Sequence, residues 1–262
     1  MSIKYNTNTP SKINFNSNEI QKINFNGHTL YTAVPPIIPP VKGDIITIDL
    51  LGTGTPQRYR VLKINDNIAE VLSMSNVTTL SFDSGGSNTY EGKTLDTYLN
   101  TTWYSTLSNI AKQAIIDKTF RQDSWYYGTQ GNPDYQGKYR YSNSDRSYQV
   151  SLNSASYGNE ITRHCYAISV QDVLDYLETT PQMTQADTTL TYDNVWTMFW
   201  NSTTTHSGNL WLRSAYASNT SNAFRVIGDF GNLSDDTVID DRRWVRPALT
   251  IDLTKIDFNI VT

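Results

Sequence analysis

One thiol and three imidazoles stand in this 262-residue chain, and their spacing limits the chemistry open to them. Cys165 directly follows His164, the composition of an activated thiolate pair. Neighbours along a strand, however, point to opposite faces. A lone Cys in such a place is expected to be inert core. His28, His164 and His206 are far apart, with no ligand spacing between them, so no metal centre is expected and no cofactor. Asp235-Asp236 and Asp240-Asp241 offer oxygen atoms of the kind calcium takes, although solvated loop acids have the same pattern. A carboxylate pair for glycoside hydrolysis is defined by a separation that only a structure gives. The expectation is therefore a protein without catalytic residues. A single cysteine also excludes an internal disulfide framework.

The net charge of −4 excludes nucleic acid as the main partner, because phosphate neutralisation needs a basic face and the longest basic run here is Arg242-Arg243. No stretch approaches the length of a membrane span, so no membrane insertion is expected. The first residues are polar and lack the apolar core of a secretion signal, so synthesis in the cytoplasm is expected. The chain holds 17 Tyr and 6 Trp among many Ser, Asn and Gly, while charged residues make up only 18%. Rigid amphipathic rings with small adaptable polar residues are the chemistry of binding surfaces. A strand-rich α+β fold has the same composition.

The elements that would position such a surface lie in the last fifth, Leu210 to Leu253. Two cassettes, Leu210-Trp211-Leu212-Arg213-Ser214 and Trp244-Val245-Arg246-Pro247-Ala248-Leu249, combine large apolar residues with one Arg each. Buried strands have this character when a guanidinium satisfies nearby carbonyls. Between them Phe224 and Val226 alternate with Arg225 and Ile227, so one pair is expected inside. The residues left without a core pattern form the expected ligand-binding set. They are Tyr216, Asn219, Asp229, Phe230, Asn232, Ser234, Asp235, Asp236, Asp240, Asp241, Arg242 and Arg243.

Ahead of this region the chain divides at Val34–Pro40, where four prolines favour a stiff extended spacer. Residues 1–33 hold a short repeat, Lys12–Asn16 and Lys22–Asn26, whose alternation predicts strands. Asn26-Gly27 is a hairpin turn signal before His28–Tyr31. This predicts an N-terminal β-hairpin segment for attachment and oligomerisation (1–33), a linker (34–42) and one domain (43–262). Within the domain, strands are expected over 45–51, 57–64 and 68–74. Thr47–Leu50 recurs verbatim as Thr250–Leu253, which suits two adjacent strands. Leu95, Leu99 and Trp103 begin a helical pattern that Leu107, Ile110, Ala111, Ala114 and Ile115 continue to about Asp117. Residues 121–160 show no periodicity and predict loops and short hairpins. Ser169 is placed to cap a helix over Val170–Glu178, and Asp193 one over Asn194–Trp200.

Four stretches in order, GDIITIDLLGTGTPQRYRVLKINDNIAEVLSM (43–74), YEGKTLDTYLNTTWYSTLSNIAKQAIIDKTF (90–120), RHCYAISVQDVLDYLETTPQMT (163–184) and the framed C-terminal region, resemble C-type-lectin-fold variable proteins of phages and gut bacteria. Retroelements diversify that family by rewriting adenine positions of a template repeat. The resemblance covers roughly residues 43 to 253. It implies an α+β C-type-lectin-like domain of the formylglycine-generating-enzyme-like subtype, with terminal strands that pair. Lys, Glu, Gln, Met and Trp, which mutation of the first two bases of an asparagine codon never reaches, are absent between Arg213 and Arg243. A Gly/Asp/Ser-rich loop without diversification shares that absence.

The KINFNG…LY opening resembles those of phage tail-tip and fibre proteins. The resemblances together imply a non-enzymatic tail-tip adhesin carried in the virion. Its implied partners are a bacterial surface protein or glycan, and tail proteins through the N-terminal segment. A homo-oligomer, most simply a trimer, would gain avidity from repeated weak sites. A bacterial protein of this fold with a structural or regulatory binding role is the alternative. Sulfatase-activating oxidases share the fold, but their paired-cysteine copper site has no counterpart beside the single Cys165. The Glu-Pro-Asn and Trp-Asn-Asp signatures of sugar-binding animal lectins are also absent.

Overall fold

The computed structural model describes residues 39–127, 146–178, 208–227 and 232–261, together with strand or helix residues 14–15, 18–19, 22–25, 28–32, 139–143, 189–191 and 198–199. The chain separates into two units, Met1–Pro39 and Pro40–Thr262. In the first, β1 (Asn14–Phe15) pairs with β2 (Asn18–Glu19), and β3 (Lys22–Phe25) pairs with β4 (His28–Thr32). Phe25 lies opposite His28, while Asn26 and Gly27, where a hairpin turn is expected, lie outside the described residues.

The second unit runs through β5 (Ile45–Ile48), β6 (Gln57–Asn65), β7 (Ile68–Ser73) and β8 (Thr78–Leu80). A helical segment follows, made of α1 (Thr94–Thr97), a π-helix (Tyr98–Trp103) and α2 (Asn109–Ala114). Next come β9 (Ile115–Ile116), β10 (Lys118–Tyr127), β11 (Tyr139–Asn143), β12 (Arg146–Arg163), β13 (Cys165–Tyr166), α3 (Val170–Glu178) and β14 (Thr189–Thr191). The last fifth holds β15 (Asn209–Tyr216), β16 (Asn222–Ile227), β17 (Asn232–Thr237), β18 (Arg243–Val245), β19 (Ala248–Asp252) and β20 (Phe258–Val261).

Two sheets result, with the helices set apart from the strands, so the fold class is α+β. One sheet has the order β13-β19-β7-β6-β5-β20, with β9 on β19. The other runs β14-β11-β12-β10-β15-β16-β17, and β18 joins β15 to β8. One core of buried residues includes Ile46, Val71, Phe82, Tyr90, Leu99, Trp103, Trp125, Trp211, Phe224 and Leu249.

Strands β5, β6 and β7 appear close to the expected ranges 45–51, 57–64 and 68–74, and α3 covers the predicted Val170–Glu178. Ser169 caps it, its Oγ accepting from Asp172 N at 3.0 Å while Asp172 Oδ2 accepts from Ser169 N at 2.9 Å. Of the short helix expected over Asn194–Trp200, the described residues include only Met198 and Phe199, both helical and buried; Asp193 lies outside them.

Three expectations fail. The repeated tetrad does not mark neighbours, since β7 and β6 lie between β19 and β5. It encodes a shared inside-outside alternation, with Ile48 and Ile251 fully buried. The helix expected through Asp117 stops at Ala114, because Ile115 turns to extended backbone and pairs with Ile251. Ile110 is 62% exposed rather than core. Among the described residues of 121–160, β11 and the start of β12 pair as a short hairpin, but most of the rest belong to the long β10–β12 pair rather than to loops. Register shifts at Arg121, Gln122 and Ser124 break the period-two pattern that would reveal them.

Gly208 enters β15 at φ +120° beside the Trp244 indole, and a Cβ there would fall 2.5 Å from ring atoms. Gly208→Ala is therefore expected to cost about 1–3 kcal/mol from overpacking alone. The urea midpoint measures it, and an unchanged midpoint would disprove the close packing.

Candidate functional site

The framing cassettes behave as their residue types suggest. Trp211 is buried, its Nε1 donates to Leu80 O at 2.9 Å, and its ring meets Phe82 edge-on at 5.7 Å. The Arg213 guanidinium lies over the Phe120 ring and donates to Ala167 O at 2.8 Å and Asp172 Oδ2 at 2.5 Å. Ser214 Oγ donates to Asp123 Oδ1 at 2.5 Å and accepts from Val170 N at 2.8 Å, which ties β15 to the start of α3. In the second cassette, Arg246 Nε donates to Asn76 Oδ1 and Nη1 to Phe199 O. Burial lowers the Arg246 pKa to about 10. Trp244 departs from expectation in being only half-buried.

Above this frame, the turn from Tyr216 to Asn222 hangs on a residue that sequence reasoning missed. Asn88 is 1% exposed. Its Nδ2 donates to the carbonyls of Tyr216, Asn219 and Asn222 at 3.0, 3.1 and 3.0 Å, and its N donates to Thr220 O at 2.8 Å. Tyr157 Oη donates to Asn88 Oδ1, and buried Gln122 bridges Asn88 O to Arg213 O through Nε2. Nothing in the segment Asp83–Asn88 marks this role, because its partners lie about 130 residues away.

Nine of the twelve predicted binding residues fall into three groups. Asn219, Asp241 and Arg242 are exposed. Asn219 Oδ1 accepts from Ser221 N at 2.9 Å and stabilises the turn. Tyr216, Ser234 and Asp235 are half-buried; Tyr216 packs edge-on against Phe224, and Asp235 accepts from Asn222 Nδ2 at 2.7 Å.

The third group forms an ion cluster. Asp236 accepts from Arg225 Nη1 at 3.0 Å and Arg243 Nε at 2.5 Å, and Asp240 accepts from Arg243 Nη2 at 2.8 Å. Asp236, Asp240 and Arg243 side chains are 18%, 14% and 15% exposed, so these three are not the free display residues expected. Cross-strand pairing brings charges of opposite sign together, and each shields the other from water. The Arg242 guanidinium holds Asp240 below the usual carboxylate range. Phe224 and Val226 are the buried pair, with Arg225 and Ile227 half-exposed. Asn232 enters only through its strand pairing with Ile227, and Asp229 and Phe230 lie outside the described residues.

Cys165 is buried, and that burial pushes its thiol well above the ordinary range. His164 lies outward, in contact with Asp117 and stacked on Tyr104 at 4.4 Å. His164 occupies the bend between β12 and β13, and its side chain is part-exposed while that of Cys165 is buried. Among the described residues, no three His, Cys, Asp or Glu are grouped to hold a metal ion. A concavity of about 460 Å³ near α3 is lined by charges that are largely matched. Lys118 Nζ lies 2.7 Å from Glu70 and 3.7 Å from Asp172, and Lys42 Nζ donates to Asp175 O.

Compared with known proteins, residues 64–253 match the family model described as Domain of unknown function (DUF6273). No curated protein and no solved structure matches the chain.

Proposed function

We propose that this chain, which belongs to the DUF6273 family, is a non-enzymatic binding protein that presents a variable surface on a C-type-lectin-like domain. The observation that carries this reading is the division of labour in residues 210–249. A buried frame of Trp211, Arg213, Ser214 and Arg246 lies beneath a turn suspended from Asn88 and strands that bear paired Asp and Arg. Such a scaffold tolerates changes at its surface because its folding contacts lie below. The pairing of β5 with β20 brings the two ends of the domain together and supports the lectin-like subtype.

The setting proposed is a phage tail tip carried in the virion, with a bacterial surface protein or glycan as partner. The N-terminal strands would join tail proteins or other copies of the chain, and a trimer would supply avidity.

Joint replacement of Asn219, Asp241 and Arg242 by Ala tests the reading. Labelled protein carrying these changes is expected to lose adhesion to a bacterial strain that the unaltered protein binds. Stability should change by under about 0.5 kcal/mol at Asp241 and at Arg242, and by about 1 kcal/mol at Asn219, whose side chain holds its turn. Undiminished adhesion would place the binding surface elsewhere.

A further inference from the structure

The six-residue π-helix Tyr98–Trp103 has a rare conformation, found mostly as single turns at functional sites. Its inner side is pinned. Asn100 Nδ2 donates to Cys165 O at 2.8 Å, and Asn100 Oδ1 accepts from Cys165 N at 3.2 Å. Just before it, buried Asp96 accepts from Arg163 Nε at 2.7 Å and Nη2 at 2.6 Å. Leu99 and Trp103 fill the core. Thr97, Tyr98 and Thr102 are left to line a groove of about 500 Å³, walled on its other side by Leu80, Asp83 and Ser84 and including Lys93 and Thr94. That volume suits a small polar ligand.

The lining specifies the ligand's chemistry. Among the described residues, no group hydrogen-bonds to the side-chain hydroxyls of Thr97, Tyr98 and Thr102, each of which can donate and accept. Asp83 and Lys93 add one carboxylate and one ammonium 3.7 Å apart, so the groove has no surplus charge for a phosphate or a cation. The half-buried Tyr98 ring adds apolar surface. Hydroxyls on both partners, balanced charge and one aromatic ring fit a polyhydroxylated neutral molecule. We propose that this groove binds a neutral sugar.

The groove adjoins the candidate surface, since Asp83 N donates to Val238 O at 3.1 Å and Leu80 pairs with Arg243. The inference rests on the binding-protein reading and names a ligand class for it. Titration of the full-length, isotope-labelled protein with glucose, galactose, mannose or N-acetylglucosamine tests it by amide chemical shifts. At least one sugar is expected to shift Asp83, Ser84 and residues 93–102 saturably at millimolar concentration. Thr97→Arg and Thr102→Arg, at exposed positions that project into the groove, are each expected to weaken that binding about tenfold or more. The proposal is overturned if no sugar moves these amides, if sodium phosphate moves them as strongly, or if both variants bind unchanged. Lost adhesion in the Asn219, Asp241 and Arg242 variant together with silent sugar titrations would remove the groove and keep the binding reading. Sugar shifts with unaffected adhesion in that variant would do the reverse.

Discussion

Arg213→Leu is expected to lower the stability of the domain by about 3–5 kcal/mol, because it removes one partner of a buried ion pair. Asp172 would lose its 2.5 Å contact, and the Ala167 carbonyl its donor. Lys118, 3.7 Å from Asp172, compensates only in part. Burial pushes the Asp172 carboxyl upward, but Arg213 and Lys118 outweigh it and hold the group well below the usual range. A depressed carboxylate pKa stabilises the fold above the unfolded value of about 3.9. That contribution fades as pH falls below this value. The gap between the native protein and the variant should therefore be wide at neutral pH and narrow in acid. Urea unfolding at a series of pH values measures both, and a loss below about 1 kcal/mol at neutral pH would show that the pair contributes little net stability.

Trp211→Ala is expected to cost roughly 3–5 kcal/mol, the range for truncating a buried Trp. The indole is 1% exposed, meets Phe82 edge-on and donates to Leu80 O, so a cavity and an unpaired carbonyl arise together. Leu80 lies on β8, which pairs with β18, so the damage should reach Arg243–Val245. Trp244→Ala should cost less, since that ring is half-buried, although composition alone makes the two Trp residues equivalent. Hydrogen exchange at β18 and the urea midpoints of both variants check this order. Equal losses would mean that Trp244 contributes more than its burial indicates.

Local pattern accounts for much of this architecture. Runs rich in apolar residues, separated by the turn residues of 52–56 and Asp66-Asn67, mark β5, β6 and β7, which bury continuous stretches such as Tyr59–Leu62 and Val71–Ser73. The Ser169 cap and the apolar face of α3 define that helix from neighbours within a few residues. The frame around residues 210–249 is legible because buried strands carrying one Arg have a distinctive composition. The burial of Cys165 matches the expectation for a lone Cys outside any ligand or nucleophile pattern.

What only the tertiary structure decided depends on partners remote in sequence. Asn88 is one polar residue in a polar loop until folding brings three carbonyls from Tyr216–Asn222 onto its amide. Asp236 and Arg243 have the character of free surface charges until β16, β17 and β18 align them with Arg225. The bulges of β10–β12 erase the alternation that would announce long strands, because each shift changes which residues face inward. The π-turn at Tyr98–Trp103 keeps the apolar spacing of an ordinary helix, and tertiary hydrogen bonds from Asn100 to Cys165 pin it in place. Local sequence determines which residues prefer the interior; long-range pairing determines which polar groups accompany them and which remain at the surface.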